Sequence, residues 1–317
     1  MSASPVIAVT GATGFLGRHV VTALAPSGAR LRLLVRREPS DAVWDAPAPE
    51  LVRGALEDAA ALERLVRGAD AVVHVAGLIT ARDRGAFLRV NRDGAHAIAA
   101  AARRLAPTAR FVLVSSLAAR EPRLSDYAAS KRAGEEAVRT VYRDAAERLV
   151  ILRPPVIYGP GDRATLTIFK AAAHAVVPIA GSGRIAVVHA ADAAGAIARV
   201  ALGAGPAGAY ALADENPAGY SLRELVAEAA RAVGRTARCV RIPDRAVLLA
   251  GHAASWQGRW RREPPRFNAG KAREVLHPDW SVAAYELLPA AIYRSRIGLA
   301  AGFRETVAWY QRARWLD

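Results

Sequence analysis

Tyr127 and Lys131 stand four residues apart in the run Tyr127-Ala128-Ala129-Ser130-Lys131. On a helix this spacing puts both side chains on one face, about 5–6 Å apart at Cβ. An ammonium beside a phenol favours the phenolate. A tyrosine tuned this way can give a proton to a substrate oxygen, or take one, during hydride transfer. A compact lysine head can also bond a ribose hydroxyl. Lysine is scarce here: of 44 basic residues only Lys131, Lys170 and Lys271 are lysines, so this one is not routine surface charge. Upstream, an apolar run ends Val114-Ser115-Ser116, where a serine hydroxyl can hold the substrate oxygen. Asn91, in Val90-Asn91-Arg92-Asp93-Gly94, can support a water-linked proton path.

A proton donor of this kind needs a hydride source beside it. Thr10-Gly11-Ala12-Thr13-Gly14-Phe15-Leu16-Gly17 follows the first β-like run, Val6–Val9, and opens a segment with Leu16, Val20 and Leu24 at helical spacing. Gly11 permits a tight turn, Gly14 lets backbone approach a pyrophosphate, and Gly17 allows close helix–sheet packing. No Gly-Lys-Ser/Thr follows, which excludes a nucleoside-triphosphatase loop. The second run ends Leu33-Leu34-Val35-Arg36-Arg37. An acid there would bind the ribose 2′-hydroxyl of NAD; two guanidinium groups suit a 2′-phosphate, so NADP(H) is expected over NAD(H). Asp58, in Gly54-Ala55-Leu56-Glu57-Asp58, is placed to accept from an adenine amino group. The fourth run ends His74-Val75-Ala76-Gly77, with small residues where a ribose passes. His74, between two valines, reads as a satisfied core histidine.

The elements that must hold these groups alternate. Apolar runs at Val6–Val9, Leu31–Val35, Leu51–Val52, Ala71–Val75, Phe111–Val114 and Leu149–Leu152 are separated by helical stretches. Strands apolar on both faces argue an α/β fold, a doubly wound parallel sheet with helices on each side. After Pro154 the alternation fades. Ile185–His189 and the Ala-rich stretch Asp192–Leu202 are expected to return to the sheet. The expected division is a dinucleotide-binding domain of residues 1–155 plus about 185–213. A smaller, mostly helical substrate domain takes about 156–184 plus 214–317.

With 52% apolar and 23% charged residues among 317, the chain is globular rather than disordered. A single cysteine, Cys239, excludes an intrachain disulfide and a cysteine-based zinc site, and no metal is expected. The start shows no leader pattern and no membrane span is apparent, so a cytoplasmic location is expected. The net charge of +15 comes from arginines scattered throughout, which reads as coding bias and not as a nucleic-acid patch.

Together these residues resemble the extended short-chain dehydrogenases/reductases, the NAD-dependent epimerase/dehydratase type. The resemblance covers nearly the whole chain. It includes Arg153-Pro154-Pro155-Val156-Ile157-Tyr158-Gly159-Pro160-Gly161 and the phrases Leu276–Trp280 and Gly302–Thr306. It implies a Rossmann fold and a serine–tyrosine–lysine set, with Ser116 aligned as the catalytic serine and Ser115 the other candidate. It implies a nicotinamide cofactor along Gly11, Thr13, Gly14, Phe15, Leu16 and Gly17. That track continues past Arg36, Arg37, Leu56, Asp58, Val75, Ala76 and Gly77 to Ser115, Tyr127, Lys131, Pro154 and Val156.

Nucleotide-sugar epimerases usually carry Asn where Val156 stands, and losing that amide removes a contact to a sugar diphosphate. The proline-rich version is similar to 3β-hydroxysteroid dehydrogenases, dihydroflavonol reductases and related ketone reductases. The resemblance therefore implies an NADP(H)-dependent reductase of a ketone on a lipid-like or steroid-like molecule. A 3-keto sphingolipid or ceramide of bacterial sphingolipid synthesis belongs to that class. The alternatives are a nucleotide-sugar epimerase or dehydratase with tightly held NAD, and a non-catalytic NADPH-binding subunit of the respiratory complex I type. The intact Tyr–Lys pair speaks against the last. Extended members are often dimers, so a second copy is an expected partner. The segment from Val247 through Trp256 and Trp260, flanked by Arg241, Arg245, Arg259, Arg261 and Arg262, is apolar and basic. It suits a greasy substrate wall, an anionic membrane surface or an ordinary packed helix.

Overall fold

The computed structural model describes residues 4–39, 44, 49–258, 260, 265 and 267–316. It separates into two compact units. One is Met1–Arg153, Ala193–Ala211 and Leu288–Tyr293; the other is Pro154–Asp192, Leu212–Leu287 and Arg294–Asp317.

The first unit is built on a seven-stranded sheet. Its strands are β1 (Val6–Thr10), β2 (Arg30–Val35), β3 (Glu50–Arg53), β4 (Ala71–His74), β5 (Arg110–Val114), β6 (Leu149–Arg153) and β11 (Gly208–Ala211). All pairs are parallel and the order is β11-β6-β5-β4-β1-β2-β3. The order of strand addition reverses between β1 and β4, the switch point where open α/β sheets bind ligands beyond their strand ends. Parallel strands need crossovers, supplied here by helices that cover the sheet. They are α1 (Phe15–Leu24), α2 (Ala59–Val66), α3 (Arg84–Leu88), α4 (Ala95–Leu105), α5 (Asp126–Val141) and most of α7 (Ala190–Ala201). One sheet face carries Ala8, Leu34, Val72, Phe111 and Ile151, packed against Leu62 and Leu65 of α2, Ile98 of α4 and Val138 of α5. Their neighbours Val9, Leu33, Val73, Val112 and Leu152, facing the other way, are equally buried.

One expectation fails. Val187–His189 does not return to this sheet; as β10 it pairs with β7 (Val156–Tyr158) in the second unit. The seventh strand is Gly208–Ala211, which reads as a loop because glycine and alanine have low β-propensity. Backbone pairing to Val150–Arg153 makes it a strand.

The second unit adds β8 (Val176–Ile179) beside β13 (Arg238–Arg241). It also holds β9 (Arg184–Ile185) between β12 (Tyr220–Ser221) and β14 (Asp279–Trp280). Its helices are α6 (Leu166–Ala172), α8 (Leu222–Ala232), α9 (Asp244–Gly258), α10 (Ala269–Leu276) and α11 (Leu299–Arg312). Tyr158, Phe169, Leu225, Phe303 and Tyr310 form its aromatic-rich core.

Candidate active site

The glycine loop takes the geometry that its residues require. Gly11 has φ +77°, where a side chain is strained, and a Cβ there would lie 2.6 Å from the Ala76 backbone nitrogen. A Cβ on Gly17 would lie 2.0 Å from the Gly11 carbonyl oxygen. Gly14 caps α1 without a side-chain hydrogen bond, so the first N–H groups of the helix remain for an anion. Thr13, Phe15 and Leu16 sit in this turn and at the helix start. The turn packed on the chain's own backbone and the open N–H groups at the start of α1 fit the pyrophosphate of a dinucleotide.

The remaining expected cofactor residues of the first unit follow the C-terminal ends of its strands. Arg36 and Arg37 come directly after β2, exposed, and neither has an ion-pair partner among the described residues. The next acid, Glu38, is bound to Arg53 at 3.3 Å. Asp58 caps α2, one carboxylate oxygen accepting from the Ala61 N–H at 3.0 Å. Leu56, in the same turn, packs against the core. Val75, Ala76 and Gly77 leave β4 beside the glycine loop. Pro154 and Val156 lie just past β6, in the second unit.

Helix α5 carries Tyr127 and Lys131, the pair expected to do acid–base work. Ser125 starts it, its hydroxyl accepting from the Ala128 N–H at 3.0 Å. Tyr127 is half-buried, its ring 6.0 Å from that of Phe87 in α3. One turn later Lys131 donates from Nζ to the Val114 carbonyl at 2.9 Å, which ties α5 to the end of β5. A Cβ on Gly77 would lie 3.6 Å from that nitrogen and 3.0 Å from Asn91 Oδ1. The ends of β4 and β5, Asn91 and the lysine head therefore converge. Burial draws the Lys131 ammonium down to about 8, while Glu135 pulls the other way.

The two serines differ. Ser116 caps the short 3₁₀ turn Leu117–Arg120, its oxygen accepting from the Ala118 N–H at 3.2 Å. A hydroxyl that accepts still has its proton to give. Ser115 is buried and donates to Glu135 Oε1 at 2.6 Å, so its proton is already committed to α5.

Asn91 sits in a π-helical turn, Arg89–Gly94, a distortion often found at functional sites. Its Oδ1 accepts from the Leu78 N–H at 2.8 Å. Its Nδ2 donates to the Leu78 carbonyl at 3.0 Å and to Ser130 Oγ at 2.9 Å. Ser130 in turn donates to the Tyr127 carbonyl at 2.7 Å. The amide is fully used in clasping the loop after β4 to the first turn of α5.

Two features were absent from the sequence reading. Glu135 is fully buried; Arg153 grips it at 2.8 and 2.6 Å, and Arg139 approaches at 3.1 Å. Burial alone raises such an acid, but the bonds from Arg153 and Ser115 outweigh it and hold Glu135 below the usual carboxylate range. The signal was its place one turn after Lys131, which puts it on the same helix face. The second feature is Thr10, whose hydroxyl lies 2.7 Å from His74 Nδ1 in the core. Burial, then the Lys131 charge, holds His74 down at about 3. It is a neutral core histidine, as read.

The model of the NAD dependent epimerase/dehydratase family matches residues 7–212. The chain is 48% identical over 314 residues to a ceramide reductase of Caulobacter vibrioides, covering 98% of this chain and 96% of that one. The crystal structure of gox2253 superposes with a TM-score of 0.78 at 22% identity, over 99% of this chain and all of that one (100%). A dTDP-glucose 4,6-dehydratase, DesIV of Streptomyces venezuelae, solved with NAD bound, gives 0.70 at 23% identity over 98% of each chain. With the glycine turn at the sheet's switch point and kinship along almost its whole length, the chain belongs to the NAD dependent epimerase/dehydratase family as an NAD(P)-binding oxidoreductase.

Proposed function

We propose that this protein reduces a ketone on a lipid-like molecule, of the 3-keto-ceramide class, with NADP(H). The observation that carries the chemistry is the Lys131 ammonium held at the Val114 carbonyl, one helical turn from Tyr127. The substrate class is supported by the full-length likeness to the Caulobacter ceramide reductase. The first unit is then the cofactor domain and the second the substrate domain.

When bound, a reduced nicotinamide supplies the hydride. The N–H groups at the start of α1 and the turn at Gly11 hold its pyrophosphate. Arg36 and Arg37 take the 2′-phosphate, and the second oxygen of Asp58 meets the adenine. Ser116 Oγ donates to the ketone oxygen and orients it. Tyr127 gives that oxygen its proton as the alcohol forms. Lys131 binds the ribose and keeps Tyr127 acidic. Asn91 acts as a positioning residue, holding the loop after β4 and the start of α5 in register. The tighter reading, an epimerase acting on a sugar diphosphate, loses support from Val156 in place of an amide.

The test is turnover of the purified protein with a 3-keto-ceramide or with sugar nucleotides, each with NADPH and NADH, followed by nicotinamide absorbance. Ketone-dependent oxidation of NADPH, faster than of NADH, is the expected result. Conversion of a sugar nucleotide without net change of cofactor overturns the proposal.

A further inference from the structure

We propose that the outward face of α9 docks this protein on the surface of an anionic lipid bilayer. Val247 and Gly251 turn inward, packing the helix on its own unit. The opposite face carries Ala246, Leu249, Ala250, Ala253 and Trp256 at the spacing of a single helical stripe, and Trp260 follows in a turn beyond the helix end at Gly258. Leu249 is 71% exposed, Trp256 62% and Trp260 81%. A soluble surface rarely strings its largest apolar side chains along one line. With these side chains exposed, the face is not an ordinary packed stripe.

Charge selects the occupant. From Arg241 to Arg266 the sequence holds six arginines against two acids, Asp244 and Glu263. Arg259, Arg261, Arg262, Glu263 and Arg266 lie outside the described residues; Arg241, at the end of β13, and Arg245, in the first turn of α9, are exposed, Arg241 3.8 Å from Asp244. A two-fold contact between copies would set this basic segment against itself. The net charge of +15 opposes self-association further. An anionic bilayer meets both demands: phosphates for the arginines, and an interface where indole rings settle. No helix among the described residues is long and apolar enough to cross a membrane, so the contact is interfacial. The inference goes beyond the proposed reduction and stands whatever the ketone is.

The experiment is flotation of the full chain with vesicles of phosphatidylcholine alone or mixed with phosphatidylglycerol, without substrate. Binding to the mixed vesicles is expected to exceed binding to neutral ones by about tenfold or more, and to weaken in high salt. The variant Leu249→Ser/Trp256→Ser/Trp260→Ser is expected to lose about tenfold in binding with an unchanged melting temperature. Should it fold poorly, Arg245→Glu serves instead, with a loss of roughly fivefold or more confined to anionic vesicles. Failure of the wild type to float with anionic vesicles overturns the proposal. So does equal flotation of the variants, or light scattering that shows a dimer which only the serine variant dissociates. Failure here leaves ketone reduction intact, because flotation is read without turnover.

Discussion

Helices α5 and α9 have nearly the same length, 16 and 15 residues, yet they handle burial in opposite ways. Helix α5 takes polar groups inside: Ser130 and Glu135 are fully buried, and each has named partners. Helix α9 leaves apolar groups outside. Buried polar groups and exposed apolar stripes both cost stability relative to the reverse arrangement, so each marks a surface shaped for something besides folding. In α5 the buried polar groups fix a lysine against a strand end. In α9 the exposed Leu249 and Trp256 have nothing inside the protein to fix.

The sharpest way to test the first half is Tyr127→Phe. Turnover should fall by about a thousandfold while cofactor titration shows near-normal binding; unchanged turnover would sink the assignment of the proton donor. Next in size is Glu135→Ala. Stranding Arg153 beside a buried gap should cost roughly 3–5 kcal/mol in denaturant unfolding. A loss below about 1 kcal/mol would mean that the buried side of α5 is not held by charge.

The pH profile follows from Lys131. Its ammonium titrates near 8 in the folded protein against 10.5 ordinarily, so turnover should decline as pH rises through about 8. Between those two values the unfolded chain binds more protons, so this group's contribution to stability rises with pH while activity falls. A profile flat to pH 10 would contradict the role given to the ammonium. His74, held at about 3 against 6.5, works at the acid end: stability should drop as pH falls below 6.5, and less so in His74→Gln. Acid melts of the two proteins that superimpose would refute it. The smallest effect belongs to α9. Trp256→Ser alone should alter unfolding by no more than about 0.5 kcal/mol, and a larger loss would show that the ring is packed after all.

The glycine loop, the Tyr–Lys spacing and the sheet were legible because local chain geometry writes them into short motifs. The clasp of Glu135 by Arg153 was not, since its partners sit on a helix and a later strand and only the folded sheet brings them together. The commitment of the Ser115 hydroxyl to Glu135 belongs to that same clasp. The strand Gly208–Ala211 was hidden by its small residues. For α9 the run Val247-Leu248-Leu249-Ala250 is apolar on every side, so periodicity alone could not say which side met solvent.

The carbonyl of Gly11 closes against Gly17, and the turn against the backbone of Ala76, through contacts within the chain itself. Such a socket is set by main-chain packing and not by side chains that must reorient. The chain entropy of forming it is lost once, during folding, and not again at each encounter. Cofactor binding should accordingly slow hydrogen exchange chiefly at the N–H groups that open α1, which have no partner inside the helix, and leave the amides of the neighbouring strands unchanged.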